Sequence, residues 1–348
     1  MINVGIVGIG FMGWIHFLAY ERARGIRVGA VCSGSPRKRS GDWRGVRGNF
    51  GPEGGIVDLS GVSSYGRLEE MLNDPGLDLI DICLPPCLHA RAAAQAFEAG
   101  KHVFCEKPLA LNPGECRRMV GAAEKAGKQL LVGHVLPFFP EYAHARSMVA
   151  GGKYGRLLGG RFHRIISSPP WLGDYFDPAK VGGPMIDLHV HDAHFIRMLF
   201  GMPEAVSSSG RMRGKVVEYC SSLFHFADPS LVVAATCGTI PQQGRSFTHG
   251  FELQLEKATV RFESAVVGGE PETTAPLTVF AGGKRFFRPR MGEADPIAGF
   301  VGEIGEVVRA LHRGRPSQIL GGELARDAII LCRKQTESVE KGRRIRIG

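Results

Sequence analysis

The stretch Asn3-Val4-Gly5-Ile6-Val7-Gly8-Ile9-Gly10-Phe11-Met12-Gly13 decides the fold. Its first half is a short apolar run of the kind that forms a strand buried on both faces. Its second half is Gly-x-Gly-x-x-Gly, and Trp14 to Arg24 then reads as a helix. Alone, that glycine spacing is a weak signal. Between a strand and a helix it marks a dinucleotide-binding turn. Gly8 is expected to make the tight turn, Gly10 to let the backbone approach a pyrophosphate, and Gly13 to let the helix close on the strand. Phe11 and Met12 sit where the N–H groups of the helix start face the phosphates.

Working outward, a second strand spans Arg27 to Val31 and runs into Cys32-Ser33-Gly34-Ser35-Pro36-Arg37-Lys38-Arg39. A site for NAD places an acid about 20 residues beyond the fingerprint, on the ribose 2′-hydroxyl. Here no Asp or Glu occurs from Arg22 to Gly41. Ser33, Ser35, Arg37 and Lys38 offer hydroxyls and cations instead, which suit a 2′-phosphate. NADP(H) is therefore the expected cofactor, with NAD(H) as the alternative. Residues 40–60 read as a loop. Strands at Asp78–Leu84, Lys101–Cys105 and Gln129–Gly133 then alternate with helices at 67–72, 90–99 and 112–126, the pattern of a doubly wound parallel sheet. Ligands of such sheets lie at the carboxyl ends of the strands, which is where Leu84, Pro85, His89, Glu106, Lys107 and His134 fall.

A second stretch of chemical interest is Gly182-Gly183-Pro184-Met185-Ile186-Asp187-Leu188-His189-Val190-His191-Asp192-Ala193-His194. On one helix starting near Pro184, Asp187 and His191 are four residues apart and share a face, with His194 joining it. An imidazole beside a carboxylate can move a proton at neutral pH. His189 and His191 point about 200° apart on a helix, so no shared metal ion is expected, and His189 reads as a substrate contact or a packed residue. Just upstream, Trp171 and Tyr175 could form an aromatic wall for a sugar ring, or pack in the core. From Gly155 onward strand patterns dominate, at 157–166, 205–212, 217–226, 231–239, 250–255, 258–262 and 277–280. They imply a mostly antiparallel sheet, closed by helices at 298–312 and 322–340 and an edge strand at 343–347.

With these residues in place, the chain resembles the glucose-fructose oxidoreductase / inositol dehydrogenase / rhizopine-catabolism (Gfo/Idh/MocA) family. The resemblance rests on Gly8-x-Gly10-x-x-Gly13, Pro85 to His89, Ala99-Gly100-Lys101-His102-Val103, Glu106-Lys107-Pro108, and Gly182-Gly183 leading to Asp187-x-x-x-His191-Asp192. It implies an α/β architecture: an N-terminal Rossmann domain and a C-terminal α/β domain with a large open, mostly antiparallel sheet. It also implies nicotinamide-dependent oxidation or reduction of a sugar- or cyclitol-like carbon. Lys107 would bind the reacting hydroxyl, His191 would be the acid/base, and Asp187 would orient and tune it. The chain departs from the family at His134-Val135-Leu136-Pro137, where Pro137 stands in place of an expected Arg.

The boundary is expected between 134 and 135, giving domains 1–134 and 135–348, the last helices being candidates to pack back on the first domain. Two rival readings share the scaffold: tightly bound NAD used in an internal redox cycle for glycoside cleavage or elimination, and an NADPH-binding sensor. Intact Lys107, Asp187 and His191 argue against the sensor. The net charge of +9 is scattered without an aromatic-interleaved basic patch, which favours a phosphate-bearing small molecule over nucleic acid. No apolar run approaches a membrane span, and the first residues enter a strand at once, so a cytoplasmic protein is expected. Eight cysteines without ligand spacing read as buried thiols. A sheet with one face bare of helices would expose apolar surface, so a homodimer or homotetramer is expected.

Overall fold

The computed structural model describes residues 1–169, 173–292 and 295–348. Contacts divide the chain into two units, residues 1–138 with 294–326 and residues 139–293 with 327–348. The first unit opens with β1 (Ile2–Val7), α1 (Phe11–Arg22), β2 (Ile26–Cys32) and α2 (Pro36–Arg39). It continues through β3 (Ser63–Tyr65), α3 (Leu68–Leu72), β4 (Leu79–Ile82), α4 (Pro86–Glu98), β5 (His102–Glu106), α5 (Pro113–Ala126) and β6 (Leu130–Gly133). The strands form one parallel sheet in the order β3-β2-β1-β4-β5-β6. The order in which strands are added reverses between β1 and β4, and the carboxyl ends there are the standard place for a ligand. Every residue of β4 and β6 is buried, as expected for a sheet covered on both faces.

The glycine turn after β1 is dictated by close approach. A Cβ on Gly13 would lie 2.2 Å from the Gly8 carbonyl oxygen, and Gly8 itself has φ 98° with its Cβ position 2.5 Å from the Cys83 carbonyl. Neither backbone can yield. Gly10 differs, since nothing lies within 4 Å of its Cβ position.

The second unit holds α6 (Pro140–Ala150), β7 (Leu157–Ser167), α7 (Gly183–Asp187) and α8 (Val190–Phe200). There follow β8 (Ala205–Arg213), β9 (Val216–His225), β10 (Val232–Ile240), β11 (Arg245–Leu255), β12 (Ala258–Val267), β13 (Glu270–Ala281) and β14 (Phe286–Phe287). The chain then returns to the first unit with α9 (Ala298–Arg313), which packs against α1. The first turn of α10 (Gly322–Lys341) also belongs there, while its residues from Asp327 and β15 (Ile345–Arg346) belong to the second unit. The first unit thus recruits α9 from far along the chain, a contact no local pattern announces.

The second sheet runs β14-β13-β12-β11-β7-β10-β9-β8-β15 and is antiparallel except for the β7–β10 pair. Its outer face is mixed rather than apolar. Leu223 and Val232 are exposed there, but so are Ser221 and Arg261, and His163 pairs with Glu263 at 3.1 Å. None of the eight cysteines is bridged. No helix among the described residues is long and apolar enough to cross a membrane.

Candidate active site

In the first unit, a cavity of about 440 Å³ opens at the carboxyl ends of β1, β2 and β4. Gly8, Ile9 and Gly10 line it together with Ser33, Gly34, Lys38, Leu84 and Pro85. The glycine turn and the segment after β2 therefore face one space, as their spacing suggested. Ser35 caps the short helix α2, accepting the Lys38 N–H. Lys38 then extends over the glycine turn and donates to the Ile9 carbonyl. Arg37 takes a different course. Its guanidinium reaches Asp42 (Nε to Oδ2, 2.8 Å), which also binds Arg44, and these two guanidiniums hold the Asp42 carboxyl well below the usual range. The first acid past the window without acids thus claims one of the cations expected for a phosphate. Phe11 and Met12 are half-buried at the start of α1, and Phe11 packs edge-on against Phe50 at 4.8 Å.

His89 and Glu106 do not face the cavity as expected. His89 is wholly buried in the first turn of α4, with Nδ1 2.9 Å from the Pro108 carbonyl and Nε2 2.8 Å from the Leu84 carbonyl. It ties the end of β4 to the segment after β5. Glu106 points inward. Its Oε1 lies 3.0 Å from Nε2 of His16, and its Oε2 accepts the Lys107 backbone N–H at 2.9 Å. Lys107 is half-buried, and the Lys107–Pro108 peptide is cis. His134, expected at the substrate, is 1% exposed.

Sequence reasoning missed His16. It sits on α1 one turn past Gly13, and its Nδ1 contacts Asp81 Oδ2 at 2.8 Å. The available signal was a charged residue inside an otherwise apolar strand, Leu79-Ile80-Asp81-Ile82, which demands a partner. His16, Asp81 and Cys83 also bring possible metal-ligand atoms within 4.8 Å of one another. Both nitrogens of His16 meet carboxylates, however, and burial pushes the Cys83 thiol far up, so the trio lacks the lone pairs a metal takes.

In the second unit, the helix expected to run unbroken from Pro184 is interrupted. The N–H groups of Leu188 and His189 both reach the Pro184 carbonyl, at 3.2 and 2.8 Å, and α8 restarts at Val190. The entry is set by Gly182 and Gly183, with φ of 83° and 67°; a Cβ on Gly183 would lie 2.2 Å from the Val216 side chain. Asp187 and His191 are partly exposed, whereas His189, Asp192 and His194 are buried. His194, one turn past His191 on α8, is wholly buried where His191 is partly exposed. His189 is no substrate contact. It is wholly buried, and its Nε2 meets the side-chain amide of Gln335 at about 3 Å. Asp192 forms a buried bidentate pair with Arg164, Nε to Oδ2 at 2.8 Å and Nη2 to Oδ1 at 3.1 Å. That pair fastens the first turn of α8 to β7. Tyr175 is also buried, at 1% exposed, with its ring edge-on to Phe176, so it supports this segment from the core rather than offering a stacking surface. Burial, and then the charge of Asp187, raise its hydroxyl's pKa. Trp171 lies outside the described residues.

Comparison with known proteins matches two family models in tandem. Residues 2–134 match the oxidoreductase family with an NAD-binding Rossmann fold, GFO_IDH_MocA, and residues 142–261 match the GFO/IDH/MocA C-terminal domain. The chain belongs to the GFO/IDH/MocA oxidoreductase family. Among curated relatives of this family member, 1,5-anhydro-D-fructose reductase of Ensifer adhaerens is 35% identical over 138 residues, 39% of this chain and 41% of that protein. Trans-1,2-dihydrobenzene-1,2-diol dehydrogenase of Macaca fascicularis is 34% identical over 152 residues, 42% of this chain and 45% of that protein. The chain therefore spans less than half the length of these curated relatives. Levoglucosan dehydrogenase, solved with NADH and levoglucosan, has the same fold, with a TM-score of 0.80 at 20% identity and 99% of each chain covered.

Proposed function

We propose that this chain is an NADP(H)-preferring oxidoreductase that moves a hydride to or from a hydroxyl or keto carbon of a sugar- or cyclitol-like substrate. The observation that carries the reading is the cavity at the switch point of the parallel sheet. It is floored by Gly8 and Gly10 and flanked by Ser33 and Lys38, with no acid at the end of β2. The absent Cβ of Gly10 leaves open space where a pyrophosphate would lie, so the residues present suit a dinucleotide. Backbone N–H groups of the glycine turn and α1 would hold the pyrophosphate. Lys38 and Ser33, rather than Arg37, would hold the 2′-phosphate. The matched reductase and dehydrogenase names support the substrate class.

A nicotinamide cofactor, when bound, would supply or accept the hydride. The residues supply the rest. His191 takes the hydroxyl proton during oxidation and returns it during reduction, and Asp187 orients the site. The Lys107 ammonium stabilises the developing alkoxide. A homodimer or homotetramer would form through the helix-free face of the second sheet, where exposed Leu223 and Val232 lie among Ser221 and Arg261, and light scattering on the purified protein would test it.

The deciding experiment releases nucleotide from purified protein by heat, identifies it, and measures exchange of NADPH and NADH into native protein. A panel of sugars, cyclitols and cyclic diols is then assayed with Lys107→Met and His191→Ala. Reversible NADPH binding, with each variant losing roughly 10²–10⁴-fold in turnover but still binding NADPH, is expected. Stoichiometric NAD that does not exchange would overturn the reading in favour of internal redox.

A further inference from the structure

The first unit buries a set of ionisable side chains that the chemistry proposed above leaves unused. His16 stands between Asp81 of β4 and Glu106 at the end of β5, with Nδ1 2.8 Å from Asp81 Oδ2 and Nε2 3.0 Å from Glu106 Oε1. His16 and Asp81 are wholly buried and Glu106 is 5% exposed. Tyr20, one turn further along α1, donates its hydroxyl to the same Asp81 oxygen at 3.0 Å. The second Glu106 oxygen holds the Lys107 backbone N–H at 2.9 Å. Gly133 makes room for this carboxylate, since a Cβ there would lie 2.9 Å from Glu106 Oε1.

An imidazole between two ionised carboxylates must donate from both nitrogens, which makes it an imidazolium. A lone carboxylate in such a place would be costly, and the bridging cation is what lets two coexist. Burial works against the charged ring, but Asp81 and the neighbouring groups outweigh it, and the balance lies well above the ordinary histidine value. A third carboxyl, Glu303 of α9, is wholly buried, and neither of its oxygens has a hydrogen-bond partner among the described residues. Burial, foremost, keeps it a neutral acid.

We infer that His16 is a positioning residue for Lys107: held as an imidazolium between Asp81 and Glu106, it fixes the carboxylate whose second oxygen grips the Lys107 backbone. The inference deepens the function proposed above and rests on Lys107 acting at the reacting hydroxyl. Lys107 leaves the sheet directly after β5, and the Glu106 carboxylate holds its N–H there while His89 holds the carbonyl of the next residue, Pro108, at 2.9 Å. Displacement of a catalytic group by about 1 Å can cost on the order of 10²-fold in rate.

The test uses the full chain with ¹⁵N-labelled lysine, the Lys107 amide signal being assigned by its loss in Lys107→Arg. In His16→Asn and in Glu106→Ala, hydrogen exchange of that amide is expected to accelerate roughly 10- to 100-fold, the loss of a charge-assisted hydrogen bond. ¹⁵N-histidine spectra of the wild type at neutral pH should show both His16 nitrogens protonated. Unchanged Lys107 exchange in His16→Asn, or a His16 nitrogen without a proton, would overturn the inference. Should His16→Asn fail to fold, Glu106→Gln replaces it: it keeps an oxygen for the Lys107 N–H but removes the anion, and exchange of that amide is expected to accelerate. Unchanged Lys107 exchange in Glu106→Gln would count against the clamp. The amide readout needs neither cofactor nor substrate, so the two failures separate. Normal turnover in Lys107→Met refutes the role of Lys107 while leaving the clamp intact, and an inactive Lys107→Met with an indifferent amide refutes the clamp alone.

Discussion

Replacing Asp192 with Ala should destabilise the second unit severely. Arg164 and Asp192 are 4% and 1% exposed and meet through two hydrogen bonds of 2.8 and 3.1 Å. A further Arg164 N–H points at the Tyr142 hydroxyl, at 3.4 Å. Removing the carboxylate leaves a buried guanidinium with a phenol, itself shared with His249 Nδ1 at 2.9 Å, and the face of the Phe247 ring 5.9 Å away. Losing one member of a buried pair costs about 3–5 kcal/mol, mainly as the desolvation of the charge left behind. For a unit of this size each kcal/mol moves the melting midpoint by about 2–4 °C, so the loss is roughly 6–20 °C. Arg164→Met with Asp192→Leu removes both charges and should recover most of it, because apolar groups of similar size replace the pair with little net penalty. Urea unfolding and thermal melts of wild type, both single variants and the double variant complete the cycle. Asp192→Ala costing less than about 1 kcal/mol, or a double variant no better than the singles, would refute the argument that charge desolvation dominates here.

Gly10→Ala should leave the apo protein's melting midpoint near wild type, since its Cβ meets nothing within 4 Å, yet abolish nucleotide binding measured by fluorescence titration. Gly13→Ala, whose Cβ would lie 2.2 Å from the Gly8 carbonyl, should instead disturb folding, visible by circular dichroism. Lys38→Ala should weaken NADPH binding by roughly 10- to 100-fold and NADH binding far less. Arg37→Ala should change neither much, because Arg37 is already committed to Asp42; equal losses from the two variants would remove that distinction. Glu303→Gln should stabilise the protein increasingly as pH rises from 5 to 7. The folded carboxyl keeps its proton where the unfolded one, near 4.3, has released it, so wild-type stability falls with pH by up to about 1.4 kcal/mol per unit. His16, with its raised folded value, also loses stabilisation as pH rises, but it is present in both proteins and cancels in the difference. Parallel melting curves across that range would contradict the protonated Glu303.

The elements that could be read from the chain are those whose signals are local. The strand–glycine–helix start, the alternation through Gly133 and the strand runs after Gly155 each follow from a repeating apolar pattern or a turn residue. The nine-stranded order does not, since β7 pairs in parallel with β10 across the intervening helices and hairpin. Among site residues, spacing placed Gly8, Gly10, Ser33 and Lys38 on one cavity. The same reasoning erred on residues whose polar partners only the folded chain reveals. His189 is occupied by Gln335, Glu106 by His16, His89 by the carbonyls of Leu84 and Pro108, and Arg37 by an acid just outside the window considered.

By itself the sequence determined the class of fold and the glycine turn that opens the NAD-binding domain. Backbone sterics and hydrophobic periodicity act within a few residues, and such preferences are written in order along the chain. Only the tertiary structure decided which polar side chains remain available for chemistry. A buried donor or acceptor takes whatever partner packing brings within 3 Å, and packing brought His16 between Asp81 and Glu106 from three separate elements.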